Sequence, residues 1–159
     1  MITHLYGDVI GIEAEVLVNP SNAKGYMGGL IAKYFHMKGV AESIHYLDPS
    51  IEKVSKKVLK SSIFKCGDVF HTGAGSLGFP KGILHAITMM KPGQSSNIHV
   101  VKVCLINLLH YCEINNITTV ALPLLGTGTG KVNKDEVIRL YEEMLSDSKT
   151  HFKIVHFKS

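Results

Sequence analysis

Apolar and polar positions alternate between two periods along this chain, and the switches between them outline an α/β fold. Short runs rich in branched aliphatic residues read as strands over 2–6, 15–18, 66–72, 82–88, 118–122 and 151–157. The second run is expected to stop at Asn19-Pro20-Ser21-Asn22. Between the runs the period lengthens to that of a helix. Residues 28–38 place Leu30, Ile31, Tyr34, Phe35 and Met37 roughly on one face, and Gly39 ends the pattern. Asp48-Pro49-Ser50 opens a second helix with Ile51, Val54, Val58 and Leu59 on its buried side. Lys91-Pro92-Gly93 breaks the chain. The most apolar helix follows over 95–113, with Val100, Val103, Cys104, Leu108 and Cys112 in period, and Asn115-Asn116 ends it. A last helix starts at Asn133, a good N-cap, with Asp135 and Glu136 in the first turn.

Strands alternating with helices predict a three-layer α/β/α domain around a mixed, mostly parallel sheet. No linker, low-complexity tract or internal repeat divides the chain, so one domain over 1–159 is expected. In such folds ligands sit beyond the carboxyl ends of the strands. Two conspicuous loops, 19–29 and 126–130, both follow strands.

Three glycine-rich stretches compete for a phosphate. Gly126-Thr127-Gly128-Thr129-Gly130-Lys131 is not a Walker A loop, because Leu125 stands where that loop needs glycine and Val132 where it needs a hydroxyl for Mg²⁺. Gly73-Ala74-Gly75-Ser76-Leu77-Gly78 matches a dinucleotide fingerprint in letters. No helix start follows it, and no acidic residue lies about twenty positions on, so it reads as a turn between strands. Gly25-Tyr26-Met27-Gly28-Gly29 runs directly into the helix expected over 28–38. Backbone N–H groups there can hold an anion. On physics alone, Gly28 and Gly29 serve a ligand or a turn equally well.

Composition narrows the function classes. The chain has 159 residues, 45% hydrophobic and 19% charged, enough for one core and not disordered. Seventeen Lys and Arg against thirteen Asp and Glu leave a formal charge of +4, which suits an anionic ligand without naming it. The densest basic stretch, 53–60, reads as the solvated face of a helix. Cys66, Cys104 and Cys112 form no CxxC, and no leader pattern follows Met1, so a reducing compartment, cytoplasmic or nuclear, is expected. No apolar run approaches the length of a membrane span. Nine histidines include no HxxxH, and no Cys/His cluster has metal spacing, so no metal is expected. His85, in an apolar run, reads as a satisfied core histidine. The cysteines lie in apolar segments, which disfavours a reactive thiolate.

Four segments, in order, resemble the macrodomain family. Gly7-Asp8-Val9-Ile10 and Val16-Leu17-Val18-Asn19-Pro20-Ser21-Asn22 are similar to its GDI turn and VNAAN-type strand end. Gly28-Gly29-Leu30-Ile31-Ala32-Lys33 resembles the first binding loop. Gly67-Asp68-Val69-Phe70 with Ile83-Leu84-His85-Ala86-Ile87 resembles the middle strands. Leu122-Pro123-Leu124-Leu125-Gly126-Thr127-Gly128 resembles the second loop.

The resemblance implies an ADP-ribose ligand, free or on mono-ADP-ribosylated protein, no separate cofactor, and a monomeric domain. Asp8 and the Val9 N–H would read the adenine. Phe157 would stack beside it or join the core. Gly28, Gly29 and Leu30, with Ile31 next, would face the pyrophosphate and proximal ribose. Leu125, Gly126, Thr127, Gly128, Thr129 and Gly130 would close from the other side. Asn22 would lie near the distal ribose, with Asn19 bracing the loop. One hydrolytic branch carries a catalytic Asp where this chain has Ile31, so that mechanism is excluded. The branch that uses a catalytic Lys on an early strand is poorly matched. An Asp-less branch with viral members hydrolyses through Asn and a three-glycine loop. Of these features the chain keeps Asn22 behind a shortened loop, so Asn22 is the candidate catalytic residue of an ADP-ribosyl-protein hydrolase. A purine-rich nucleic-acid binder and a degenerate protein-interaction macrodomain are the alternatives.

Overall fold

The computed structural model describes residues 1–28 and 39–157. Six strands form one sheet: β1 (Ile2–Tyr6), β2 (Val16–Asn22), β3 (Val69–Thr72), β4 (Ile83–Met89), β5 (Thr119–Pro123) and β6 (His151–His156). Their order is β1-β6-β5-β2-β4-β3. All neighbours run parallel except β3, which pairs antiparallel with β4. A 3-10 turn, Val9–Gly11, follows β1, and four α-helices are described: α1 (Val40–Leu47), α2 (Ser50–Lys60), α3 (Ile98–Ile114) and α4 (Lys134–Leu145).

Helices cover both faces of the sheet. On one face Cys104, Leu105 and Leu108 of α3 and Val137 and Tyr141 of α4 pack on Val16, Val18, Leu84, Leu122 and Ile154. On the other, Ile44 of α1 and Ile51 of α2 meet Leu17, Ile83, Ala121 and Val155. Residues of opposite parity along one strand thus enter different cores, as a sheet buried on both sides requires.

The mixed, mostly parallel sheet and the layered architecture match expectation, with three corrections. First, β2 does not stop at residue 18. Asn19, Pro20 and Ser21 pair in register with His85, Ala86 and Ile87 of β4, and Asn22 with Met89 after a shift. Pro20 is tolerated because β2 pairs with β5 only at Val16 and Leu17, leaving no ladder to break on that edge. Second, α1 was not anticipated, since eight residues are too few to establish a period. Third, α2 begins at Ser50 as expected but buries Ile51, Glu52 and Ser55, while Val54 is 46% exposed. That face is covered partly by the 22–28 loop, where Gly25 (φ +71°) approaches Lys56 and Leu59 so closely that a Cβ would stand 3.0 Å from Leu59 Cδ1. The helix expected over 28–38 lies, apart from Gly28, outside the described residues. The 73–78 stretch is the turn from β3 into antiparallel β4, not a dinucleotide loop.

Candidate functional site

A cleft of about 560 Å³ opens where β2, β4, β5 and β6 end. Three of its lining segments form walls held by hydrogen bonds that do not need a ligand, and the start of α1 (Gly39 to Glu42), residues between 88 and 93 and Lys134 complete the lining.

The first wall is the loop leaving β2. Asn22 Oδ1 accepts the Lys24 and Tyr26 N–H groups at 3.0 and 3.1 Å, and Asn22 Nδ2 donates to the Tyr26 carbonyl at 2.9 Å. One carboxamide therefore folds the turn, and bonds to the described residues use one of its two N–H hydrogens. Three residues upstream, Asn19 is fully buried and its Nδ2 lies 3.0 Å from His85 Nδ1. His85 Nε2 lies 2.8 Å from Thr72 Oγ1, whose hydroxyl donates to the Gly73 carbonyl at 3.1 Å. The chain of donors is self-consistent for a neutral imidazole carrying its proton on Nε2. Burial, with the nearby His71, pushes the His85 pKa down to about 3. His85 is thus a satisfied core histidine that braces β2 against β3.

The second wall is the 124–130 loop after β5. The Gly126 carbonyl accepts the Val132 N–H at 2.8 Å, and the Gly128 carbonyl accepts the Lys131 N–H at 3.1 Å. Ser96 N–H reaches the Gly130 carbonyl at 2.8 Å, tying the loop to the segment before α3. Gly126 has φ +75°, and a Cβ there would lie 2.9 Å from Val132. A Cβ on Gly130 would stand 2.6 Å from the Gly126 carbonyl oxygen. Gly128 meets nothing within 4 Å. Two of the glycines serve packing, and the third leaves backbone open to the cleft.

The third wall is the end of β6. Phe157 is 58% exposed and lines the cleft beside His156, so the reading of Phe157 as a core residue falls. Burial, with His4 and Lys134 nearby, lowers the His156 pKa. Its Nε2 lies 2.9 Å from His4 Nδ1, and its ring stacks on Tyr6 at 4.8 Å.

Of the residues expected at a ligand, Asn22, Gly126, Thr127, Gly128, Thr129, Gly130 and Phe157 line this one cleft. Leu125 is fully buried behind the second wall, and Asn19 is buried below the first. Val9 is buried in the core, and Asp8 caps the 3-10 turn, its Oδ1 accepting the Ile10 N–H at 3.1 Å. Neither borders the cleft. Gly28 is buried, and Gly29, Leu30 and Ile31 lie outside the described residues.

Sequence reasoning missed Tyr26, Glu42, Met89, Lys134 and His156, which also line the cleft. Only Tyr26, inside a glycine-rich loop, carried a local signal. Glu42 is the one carboxylate among the described lining residues. Cys104 and Cys112 are buried, and burial pushes their thiols up to about 12, which disfavours a reactive thiolate at either. Among the described residues no group of His, Cys, Asp or Glu could hold a metal ion.

A mixed, mostly parallel sheet with two loops and an exposed aromatic residue at the carboxyl ends of its strands is the arrangement the macrodomain resemblance implies. The family model for the Macro domain matches residues 18–141, and the chain belongs to that family. It is 32% identical over 137 residues to an uncharacterized protein of Aquifex aeolicus, covering 86% of this chain and 76% of that one. It is 30% identical to the DNA ADP-ribosyl glycohydrolase of Mycobacterium tuberculosis, again over 86% of this chain but only 36% of the mycobacterial protein. Among solved structures, the macrodomain of Thermus aquaticus DarG superposes with a TM-score of 0.83 at 24% identity, covering 98% of each chain. The macrodomain of Mycobacterium tuberculosis DarG gives 0.80 at 26% identity, covering 98% of this chain and 97% of that one. Thermosipho africanus DarTG in complex with ADP-ribose gives 0.78 at 18% identity, covering 99% of this chain and 41% of that one.

Proposed function

We propose that the cleft binds ADP-ribose, free or attached to a macromolecule. The observation that carries this is the convergence of three separately held walls. Asn22 and Tyr26 stand on one, the open backbone at Gly128 on the second and exposed Phe157 on the third. The volume suits a ligand of this size. Phe157 offers a face for adenine, the glycine loop offers N–H groups to phosphate oxygens, and the net charge of +4 favours an anion. Calorimetric titration with ADP-ribose tests the reading. Micromolar binding, about −8 kcal/mol, is expected. No heat and no thermal shift at millimolar ligand sink it and leave the fold to protein or nucleic-acid contacts.

A second reading is hydrolysis of the bond between ADP-ribose and its carrier. The 30% identity to a DNA ADP-ribosyl glycohydrolase favours DNA as that carrier, alongside the protein carrier the family resemblance implies. Water would add to the anomeric carbon of the distal ribose as the carrier leaves with a proton. Asn22 would orient the ribose. Incubation with an ADP-ribosylated oligonucleotide and with an ADP-ribosylated protein separates the carriers. Release from neither leaves a module that only binds.

A further inference from the structure

Glu52 lies on α2, outside the cleft lining, and is only 7% exposed. Its carboxylate is shared among three elements. Oε2 accepts the Met27 N–H of the first wall at 2.8 Å. Oε1 accepts the Lys56 ammonium one turn along α2, also at 2.8 Å. His45 Nδ1 of α1 stands 3.7 Å from Oε2. Burial raises the carboxyl pKa, but the Lys56 and Met27 bonds and the His45 and Lys56 charges outweigh it, so Glu52 is held as a carboxylate.

Such a group is a poor way merely to pack two helices. Removing a charge from water costs several kcal/mol, and an apolar residue of similar volume would join α1 to α2 at least as well. What an apolar residue cannot do is accept a backbone N–H from the loop. We propose that Glu52 is a positioning residue for the cleft: by holding the Met27 N–H it fixes the 22–28 loop in the shape that meets the diphosphate and distal ribose of ADP-ribose. The proposal rests on the ADP-ribose reading of the cleft.

The geometry of the loop gives this bond its leverage. Asn22 ties the start of the loop through three hydrogen bonds to Lys24 and Tyr26. Glu52 ties its far end at Met27, which is itself 1% exposed. Tyr26 lies between these anchors, 43% exposed and lining the cleft, with the Lys56 ammonium 6.0 Å from its ring centroid. Gly25 seats the loop on α2 with almost no clearance. A loop anchored at both ends is pre-ordered, so binding does not have to order it. Released at Met27, the segment that leads into Gly28 loses its fixed end.

Three substitutions separate this role from simple stabilisation. Glu52→Gln keeps an acceptor at the same reach and loses the charge. Glu52→Asp keeps the charge and withdraws the acceptor by one methylene. Glu52→Ala loses both. Titration with ADP-ribose and with AMP, which lacks the second phosphate and the distal ribose, gives the readout, with thermal midpoints alongside. The expected result is that ADP-ribose affinity follows acceptor reach. Gln stays within about threefold of wild type, and Asp and Ala lose tenfold or more, about 1.4 kcal/mol. AMP affinity changes less than twofold throughout, while midpoints fall for Gln and Ala, which lack the charge. Should Glu52→Ala not fold, the Gln and Asp pair carries the test. Affinity that tracks charge, with Asp near wild type and Gln weakened, overturns the proposal. So does equal binding by wild type and all variants, which leaves the ADP-ribose reading standing. A wild-type chain that ignores ADP-ribose overturns that reading and the proposal together.

Discussion

The Tyr141 hydroxyl accepts the Leu125 N–H at 2.8 Å and donates to the Pro123 carbonyl at 2.7 Å. Tyr141 is fully buried on α4, and burial raises its pKa. One phenol thus satisfies two backbone groups where β5 ends and the second wall begins. Tyr141→Phe leaves both without that partner in an apolar setting, which is expected to cost about 1–3 kcal/mol. Urea unfolding checks this as a fall in midpoint at constant slope. An unchanged midpoint means the loop finds other partners.

The three glycines of the second wall make a sharper test. Gly126→Ala and Gly130→Ala are expected to lower the thermal midpoint, because the added carbon meets Val132 in one case and the Gly126 carbonyl in the other. Gly128→Val adds bulk where nothing lies within 4 Å. It should stay within about 0.5 kcal/mol of wild-type stability and lose tenfold or more in ADP-ribose affinity. Full affinity in that variant would remove Gly128 from the ligand's path.

Phe157→Ala separates ligand contact from folding in the same way. The ring is 58% exposed, so its loss should hardly move the thermal midpoint. If adenine stacks on it, ADP-ribose binding weakens by about 1–3 kcal/mol. Calorimetry decides; equal affinities exclude the stack.

Acid should weaken the fold through His85. Its folded pKa is about 3 against an ordinary 6.5. Between those values the unfolded chain takes up a proton that the folded chain refuses. The contribution is therefore complete above pH 6.5 and is lost as pH falls towards 3, at up to about 1.4 kcal/mol per pH unit. The lowered values of His151 and His156 act in the same direction. Urea midpoints at pH 7.5, 5.5 and 4.5 test this. His85→Gln should be less stable at pH 7.5, with a shallower acid slope. Parallel slopes for the two proteins would mean His85 does not titrate on unfolding.

The sheet was legible because strands buried on both faces must be written as apolar runs, as at Thr119–Pro123, and because Asn133 caps α4 through the Glu136 N–H. Pro20 misled because the rule against proline in a strand depends on which edge is paired, and pairing is not a local property. Val54 misled for a related reason, and Glu52 gave no signal: helical period places apolar residues on a core, but α2 turns part of its buried face to a loop. The second wall was readable from its glycines. His156, Met89 and Lys134 were not, since they reach the cleft only because parallel crossovers bring strand ends from distant parts of the chain to one edge.

The parallel pairing of β1 with β6 sets Ile2 beside Phe152 and Tyr6 beside His156. The amino end, whose ammonium donates to the Ser148 carbonyl at 2.7 Å, is therefore at the edge of the sheet remote from the cleft. Phe157 is at the cleft itself. The start of β1 and the end of β6 thus lie at opposite ends of the strands, so bulk added before Ile2 stays clear of the mouth, whereas any change at Phe157 is felt there. The sheet therefore has a quiet side and a working side: the side that carries Ile2 tolerates added bulk, and the side that carries Phe157 does not.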